Sequence, residues 1–258
     1  MNCWREINEV GEKLNYQPEI VVLKDSKEIA AIAAKEFVFL ANQAVKDHKY
    51  FSVALSGGST PKTLFALLAK DSSVPWDKIH FFWGDERHVP PDDPDSNYRM
   101  AKEAMLSHIP LCHTCVHRIL AEDPDAAHAA DLYEHDMKQF FKQFPRFDLA
   151  LMGMGPDGHT ASLFPGTKAL NEKERWVVSN WVGKFYTDRI TMTAPVFNQA
   201  ACVMFLVAGD DKAPALKGVL EGPYEPEQLP SQLIRPENGK LLWLVDRAAG
   251  KMLEKLDE

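Results

Sequence analysis

The segment 147–165, FDLALMGMGPDGHTASLFP, holds the pair of side chains best suited to moving a proton, Asp157 and His159. A histidine near its unperturbed pKa takes a proton from water at neutral pH. A carboxylate two residues away can orient the ring or stabilise its charged form. A lone Asp-x-His is more often a local loop hydrogen bond, but this one follows an apolar run, 147–152, that stops at a glycine-rich turn. That is the pattern of a strand ending in a loop at the carboxyl edge of an α/β sheet, where ligands collect. The same turn spells G-x-G-x-x-G through Gly153, Gly155 and Gly158. A dinucleotide fingerprint belongs in a first βαβ unit, with a helix opening on the pyrophosphate. Here it comes late, carries Pro156, and sets the anionic Asp157 where a second anion would be repelled. The nucleotide reading is set aside.

Three further groups suit an anion. Ser56-Gly57-Gly58-Ser59-Thr60-Pro61 follows the apolar stretch 51–55, and adjacent glycines let backbone N–H groups approach a ligand closely. Thr60 is expected to cap the next helix, with Pro61 as its first residue, so that a helix N-terminus faces the turn. Gly57, Gly58, Ser59 and Thr60 are the binding candidates, although a plain strand-to-helix connection explains them equally well. No Gly-Lys-Ser/Thr follows, which excludes a P-loop, and Ser59 is not set in the G-x-S-x-G frame of a nucleophile. In Gly84-Asp85-Glu86-Arg87-His88, Arg87 suits bidentate phosphate binding, against the common reading of such clusters as solvated surface pairs. Lys184 and Arg189 flank Phe185-Tyr186-Thr187-Asp188, and two cations on one loop suit a phosphate clamp, though spacing alone favours exposed charges. Cys112-His113-Thr114-Cys115 is a single C-x-x-C, and zinc would need ligands from elsewhere, such as His117. No metal is expected.

These groups need a scaffold, and the pattern supplies one. Apolar runs at 19–23, 51–55, 76–83, 147–152 and 241–245 read as strands, and 198–207 leads into another. Between them lie helical segments: 26–47, opened by Ser26; 62–69, with Leu64, Leu67 and Leu68 inward; 98–106, capped by Ser96; 126–143; and one through Leu220. Shorter extended pieces are expected at 116–120, 176–182 and 189–192, and a closing helix at 247–256. Strand alternating with helix gives an α/β fold, a single domain over 1–258 with a doubly wound, mostly parallel sheet and helices on both faces. The chain has 258 residues, 45% hydrophobic and 26% charged, as expected of a soluble protein with a sizeable core. A net charge of −8 without a long basic run argues against nucleic acid as a partner. No stretch approaches the roughly 20 apolar residues of a membrane helix, and the first residues lack a signal-peptide core. Four scattered cysteines are too few for a disulfide scaffold, so a cytoplasmic setting is expected.

Taken together, SGGSTP, WGDERHVPPDDPDSNY, GMGPDGHTASLFPG, RITMT and GDDKAPAL resemble, in the same order, motifs of the 6-phosphogluconolactonases. The resemblance runs from about residue 19 to the C-terminus. It implies the fold shared with glucosamine-6-phosphate deaminases and hydrolysis of 6-phospho-glucono-1,5-lactone to 6-phosphogluconate, in the oxidative pentose phosphate pathway. It implies no metal, nucleotide or other cofactor, and a sugar-phosphate lactone as the small-molecule partner of a monomer or small homo-oligomer. His159 then matches the family's base, with Asp157 beside it, and the SGGST turn matches the phosphate-side loop. Arg87, Lys184 and Arg189 match its basic residues. One departure is local: the family often has prolines after the Lys184 position, where this chain has Phe185-Tyr186-Thr187-Asp188. The alternatives are an amino-sugar phosphate deaminase or isomerase and a non-catalytic sugar-phosphate sensor. The first is disfavoured because Ser162-Leu163-Phe164-Pro165 replaces the Asn-Glu-Pro of those enzymes.

Overall fold

The computed structural model describes residues 18–254. In chain order the elements are β1 (Glu19–Leu23), α1 (Ser26–His48), β2 (Phe51–Leu55), α2 (Ser59–Leu68), β3 (Ile79–Trp83), β4 (Asp85–Arg87), α3 (Asn97–Ala104) and β5 (Val116–His117). They continue as α4 (Ala126–Phe141), β6 (Leu149–Met152), β7 (Val177–Val182), β8 (Thr187–Met192), α5 (Ala194–Asn198), β9 (Cys202–Val207), α6 (Ala213–Glu221), β10 (Lys240–Asp246) and α7 (Arg247–Gly250).

Strands β2, β6 and β9 are buried at every position. They carry no polar alternation because a parallel sheet has both faces covered. They form the middle of a seven-stranded sheet in the order β1-β10-β9-β6-β2-β3-β5, with every neighbouring pair parallel. From β2 the chain steps outward through β3 to β5, then returns to the far side of β2 as β6 and proceeds to β9 and β10. The winding therefore reverses between β2 and β6, and a crevice opens outside the carboxyl ends of strands that part in this way. The Ser56 turn and the Gly153 loop leave the sheet at those two ends. The expected doubly wound α/β fold is the one observed, and among the described residues no helix is long and apolar enough to cross a membrane.

Several local expectations are corrected. Asp25 rather than Ser26 caps α1, its carboxylate accepting from the Lys27 and Glu28 amides at 3.0 Å each. α2 starts at Ser59 behind Gly58, so Thr60 lies inside the first turn instead of capping it. Leu67 of α2 faces solvent, and Phe65 takes the inner position. Residues 76–78 form a 3₁₀ turn ahead of β3, β5 has two residues, and α7 ends at Gly250. The rest of the closing helix expected to 256 lies partly outside the described residues. Cys112 and Cys115 are joined in a disulfide across a 3₁₀ turn, a local staple that the sequence reading did not include.

The largest departure is a second sheet. Strands β4, β8 and β7 pair antiparallel, so Asp85–Arg87 is a strand where a loop was expected. Gly84 joins the two sheets: its amide donates to Leu55 O at 2.9 Å and its carbonyl accepts from Met192 N at 2.8 Å. A side chain there would press on the Phe197 ring. The small sheet thus stands over the carboxyl edge of the large one, carrying Arg87 on β4 and Arg189 on β8.

Candidate active site

Three segments meet where the winding reverses. Leu55, Ser56, Gly84, Asp85, Met152 and Ala161 converge there, at the carboxyl ends of β2, β3 and β6 and in the loop after β6. On one side, Gly58 takes φ +105°, which an L side chain rarely adopts, and turns the chain directly into α2. No side chain caps that helix. Its first amides, which have no partner within the helix, are thus available to an anion, and the helix dipole favours one there. Gly57 is required for a different reason: a Cβ would overlap Asn97 Oδ1. Asn97 opens α3 and is held in place, its Nδ2 donating to Asp85 O at 2.9 Å.

The other side is the loop after β6. Gly155 N donates to His159 O at 2.8 Å, and Gly158, at φ +76°, donates to Gly155 O at 3.0 Å. A Cβ on Gly155 would overlap the His159 ring, so the glycine makes room for the imidazole. Asp157 Oδ1 accepts from His159 Nδ1 in a short hydrogen bond and from His159 N at 3.3 Å. Its Oδ2 accepts from Lys184 Nζ at 3.2 Å. Burial pushes the Asp157 carboxyl up, but the hydrogen bond and charge of His159, with Lys184, hold it down to about 2. An ionised carboxylate only accepts, so Nδ1 carries the proton and Nε2 presents its lone pair. Phe164 lies parallel to the imidazole, 4.1 Å away and tilted by 23°. The loop leads into turns and a Thr160–Leu163 bridge rather than a helix, as the rejection of a dinucleotide fingerprint requires.

The third component is cationic. Arg87 and Arg189 stand directly opposite each other across β4 and β8. Arg87 Nη1 donates to Asp95 O. Arg189 Nε is buried with no hydrogen-bond partner among the described residues, and burial followed by the Arg87 charge lowers the Arg189 pKa from its usual value. Two opposed guanidinium groups, one with a donor that has no partner among the described residues, offer charge and hydrogen bonds to an anion.

The model of the glucosamine-6-phosphate isomerases/6-phosphogluconolactonase family matches residues 24–243. The chain belongs to that family. A 6-phosphogluconolactonase of Nostoc sp. is 43% identical over 239 residues, covering 91% of this chain and 98% of its own. One of Synechocystis sp. is 43% identical, covering 82% and 88%. The solved 6-phosphogluconolactonase from Trypanosoma cruzi superposes with a TM-score of 0.83 at 30% identity, covering 93% of this chain and 98% of that one. The 6-phosphogluconolactonase resemblance read from the motifs therefore holds over nearly the whole chain.

Within this family member, the structure brings His159, Asp157 and Lys184 together and pairs Arg87 with Arg189. Gly57, Gly58, Ser59 and Thr60 lie at the start of α2, with Thr60 buried. Among the described residues no group of three His, Cys, Asp or Glu side chains is arranged to hold a metal. What the sequence reading missed is the polar floor. Ser162 Oγ donates to Asp85 Oδ2 at 2.6 Å, and Asn180 Nδ2 donates to Ser162 O at 2.9 Å, tying the His159 loop to both strands of the small sheet's edges. Glu86, 2% exposed, accepts from the amides of Asn97 (2.7 Å), Tyr98 (2.8 Å) and Arg87 (2.8 Å) and from Ser96 Oγ (3.0 Å). Burial raises its pKa against those amides, which favour the anion. Each Glu86 oxygen receives a backbone N–H, so either orientation of Glu86→Gln sets an amide NH₂ against a donor. That variant is expected to lose about 1–3 kcal/mol of stability, read as a lower urea midpoint with unchanged slope.

Proposed function

We propose that the chain hydrolyses 6-phospho-D-glucono-1,5-lactone to 6-phospho-D-gluconate, a step of the oxidative pentose phosphate pathway, with His159 as general base. The observation that carries this reading is the Asp157–His159 pair. An ionised carboxylate fixes Nδ1–H and leaves Nε2 free to receive a proton. The relatives' shared name supports the substrate, and the opposed Arg87 and Arg189 with the uncapped start of α2 support its phosphate.

A δ-lactone is an activated ester, so no protein nucleophile is needed. Arg87, Arg189 and the amides of the Gly57–Gly58–Ser59 turn hold the phosphate, and this remote binding energy sets the carbonyl carbon against a water. His159 Nε2 takes the water's proton as the new C–O bond forms and the carbonyl oxygen becomes an oxyanion. The oxyanion then collapses, the bond from C1 to the ring oxygen breaks, and the imidazolium returns the proton to that departing oxygen. Asp157 stabilises the imidazolium between the two steps. Lys184, exposed and bound to Asp157, adds a third positive charge for the phosphate without leaving the carboxylate.

The test is lactone opening by the purified chain, corrected for the spontaneous rate. A rate equal to the spontaneous one, with 6-phosphogluconate still bound, would replace the enzyme with a sensor. The pH profile is a second check. Asp157, with a carboxyl held at about 2, is ionised throughout the neutral and mildly acidic range, and its support for His159 is lost only as pH falls through that value. Asp157 is therefore expected to add no step of its own to the acid limb of kcat/KM for unphosphorylated glucono-1,5-lactone, which has no phosphate to protonate. A limb of slope two above pH 4 on that lactone would contradict this.

A further inference from the structure

We propose that Phe185 is a positioning residue of this site, holding Lys184 and Arg189 in register with the His159 loop through a closed ring of contacts that includes Phe164. The inference builds on the lactonase reading. It starts from the turn between β7 and β8. The Lys184 ammonium and the Arg189 guanidinium each lie 5.5 Å from the centre of the Phe185 ring. Both are within the distance at which the negative face of an aromatic ring attracts a cation.

The Phe185 ring also meets Phe164 edge-on, with centroids 5.7 Å apart and planes at 75°. Phe164, 6% exposed, is the ring stacked on His159. Lys184 returns the chain of contacts to Asp157 at 3.2 Å, and Asp157 holds His159. The circuit His159–Phe164–Phe185–Lys184–Asp157 thus closes on itself, linking the base to Lys184 by two independent routes, with Arg189 joined to it at Phe185. Backbone geometry fixes its outer corner. Phe185 N donates to Val182 O at 3.0 Å, and Tyr186 takes φ +49° in the tight turn between β7 and β8. Like-charged Lys184 and Arg189 would otherwise separate, and the shared ring offsets that tendency.

Phe185 is 46% exposed, so shortening it opens no core cavity and the variants keep their fold. Phe185→Ala is expected to raise KM for the phosphorylated lactone about tenfold or more, tenfold being the low end of what two cation–ring contacts and one ring pair contribute together, with a smaller fall in kcat. Phe185→Leu keeps bulk without an aromatic face and is expected to reproduce the loss, whereas Phe185→Tyr restores wild-type KM. Wild-type KM in Phe185→Leu overturns the inference. A second readout needs no turnover: the His159 ring resonances, followed by NMR without substrate, are expected to move in Phe185→Ala and to stay in Phe185→Tyr. Unmoved resonances in Phe185→Ala overturn the inference whether or not the wild type opens the lactone. Moved resonances in a protein that leaves the lactone at its spontaneous rate uphold the positioning role and sink the lactonase reading alone.

Discussion

His159→Ala is expected to lower kcat by ~10²–10⁴-fold, the usual worth of a positioned general base, while KM changes little. The split follows from the geometry. His159 touches Asp157 and Phe164 in the loop after β6, whereas Arg87 and Arg189 sit on the small sheet. On the proposed mechanism, removing the imidazole leaves Arg87 and Arg189 in place and takes away only the group that would receive the water's proton. The imidazole side chain is partly exposed, at 24%, so its loss does not hollow the core. Asp157→Asn should fall between this variant and wild type. An amide at that position accepts less strongly from Nδ1–H, no longer stabilises the imidazolium by charge, and frees Lys184. Near-wild-type turnover in His159→Ala would remove the residue from the chemistry.

The strands of the large sheet were legible because full burial on both faces leaves an uninterrupted apolar run, as in FSVAL of β2 and CVMFLV of β9. The glycine turn and the His159 loop were legible for the complementary reason: each stops such a run with residues that no strand tolerates. The small sheet was not. β4 is three residues long and entirely charged, and only its partners on β8 make it a strand. Asn97 and Ser162 were invisible as site residues because their value lies in what they touch: Gly57 and Asp85 for the first, Asp85 across 77 positions for the second. Thr60 shows a local error of the same origin. Cap chemistry favours threonine, but the positive φ of Gly58 starts the helix earlier and leaves its end open to a ligand.

Arg189→Ala is expected to raise KM for the phosphorylated lactone by ~10–100-fold, since a hydrogen bond to a charged group contributes about 1.5–3 kcal/mol. It should do so without weakening the fold. Arg189 faces Arg87 across an antiparallel pair, and like charges so opposed destabilise a sheet. Burial and the Arg87 charge both act against the Arg189 cation, and its Nε finds no partner among the described residues. Such an arrangement costs stability in the free enzyme and is relieved when a dianion lies between the two guanidinium groups. Replacing Arg189 should accordingly leave thermal stability unchanged or slightly higher, by ~0.2–1 kcal/mol, while phosphate affinity falls. The opposite signs separate a binding residue from a structural one. Unphosphorylated glucono-1,5-lactone supplies the control, because it offers nothing for Arg189 to hold and its kcat/KM should be the same in both proteins. An equal loss on both lactones would mean that Arg189 shapes the site rather than binds the phosphate.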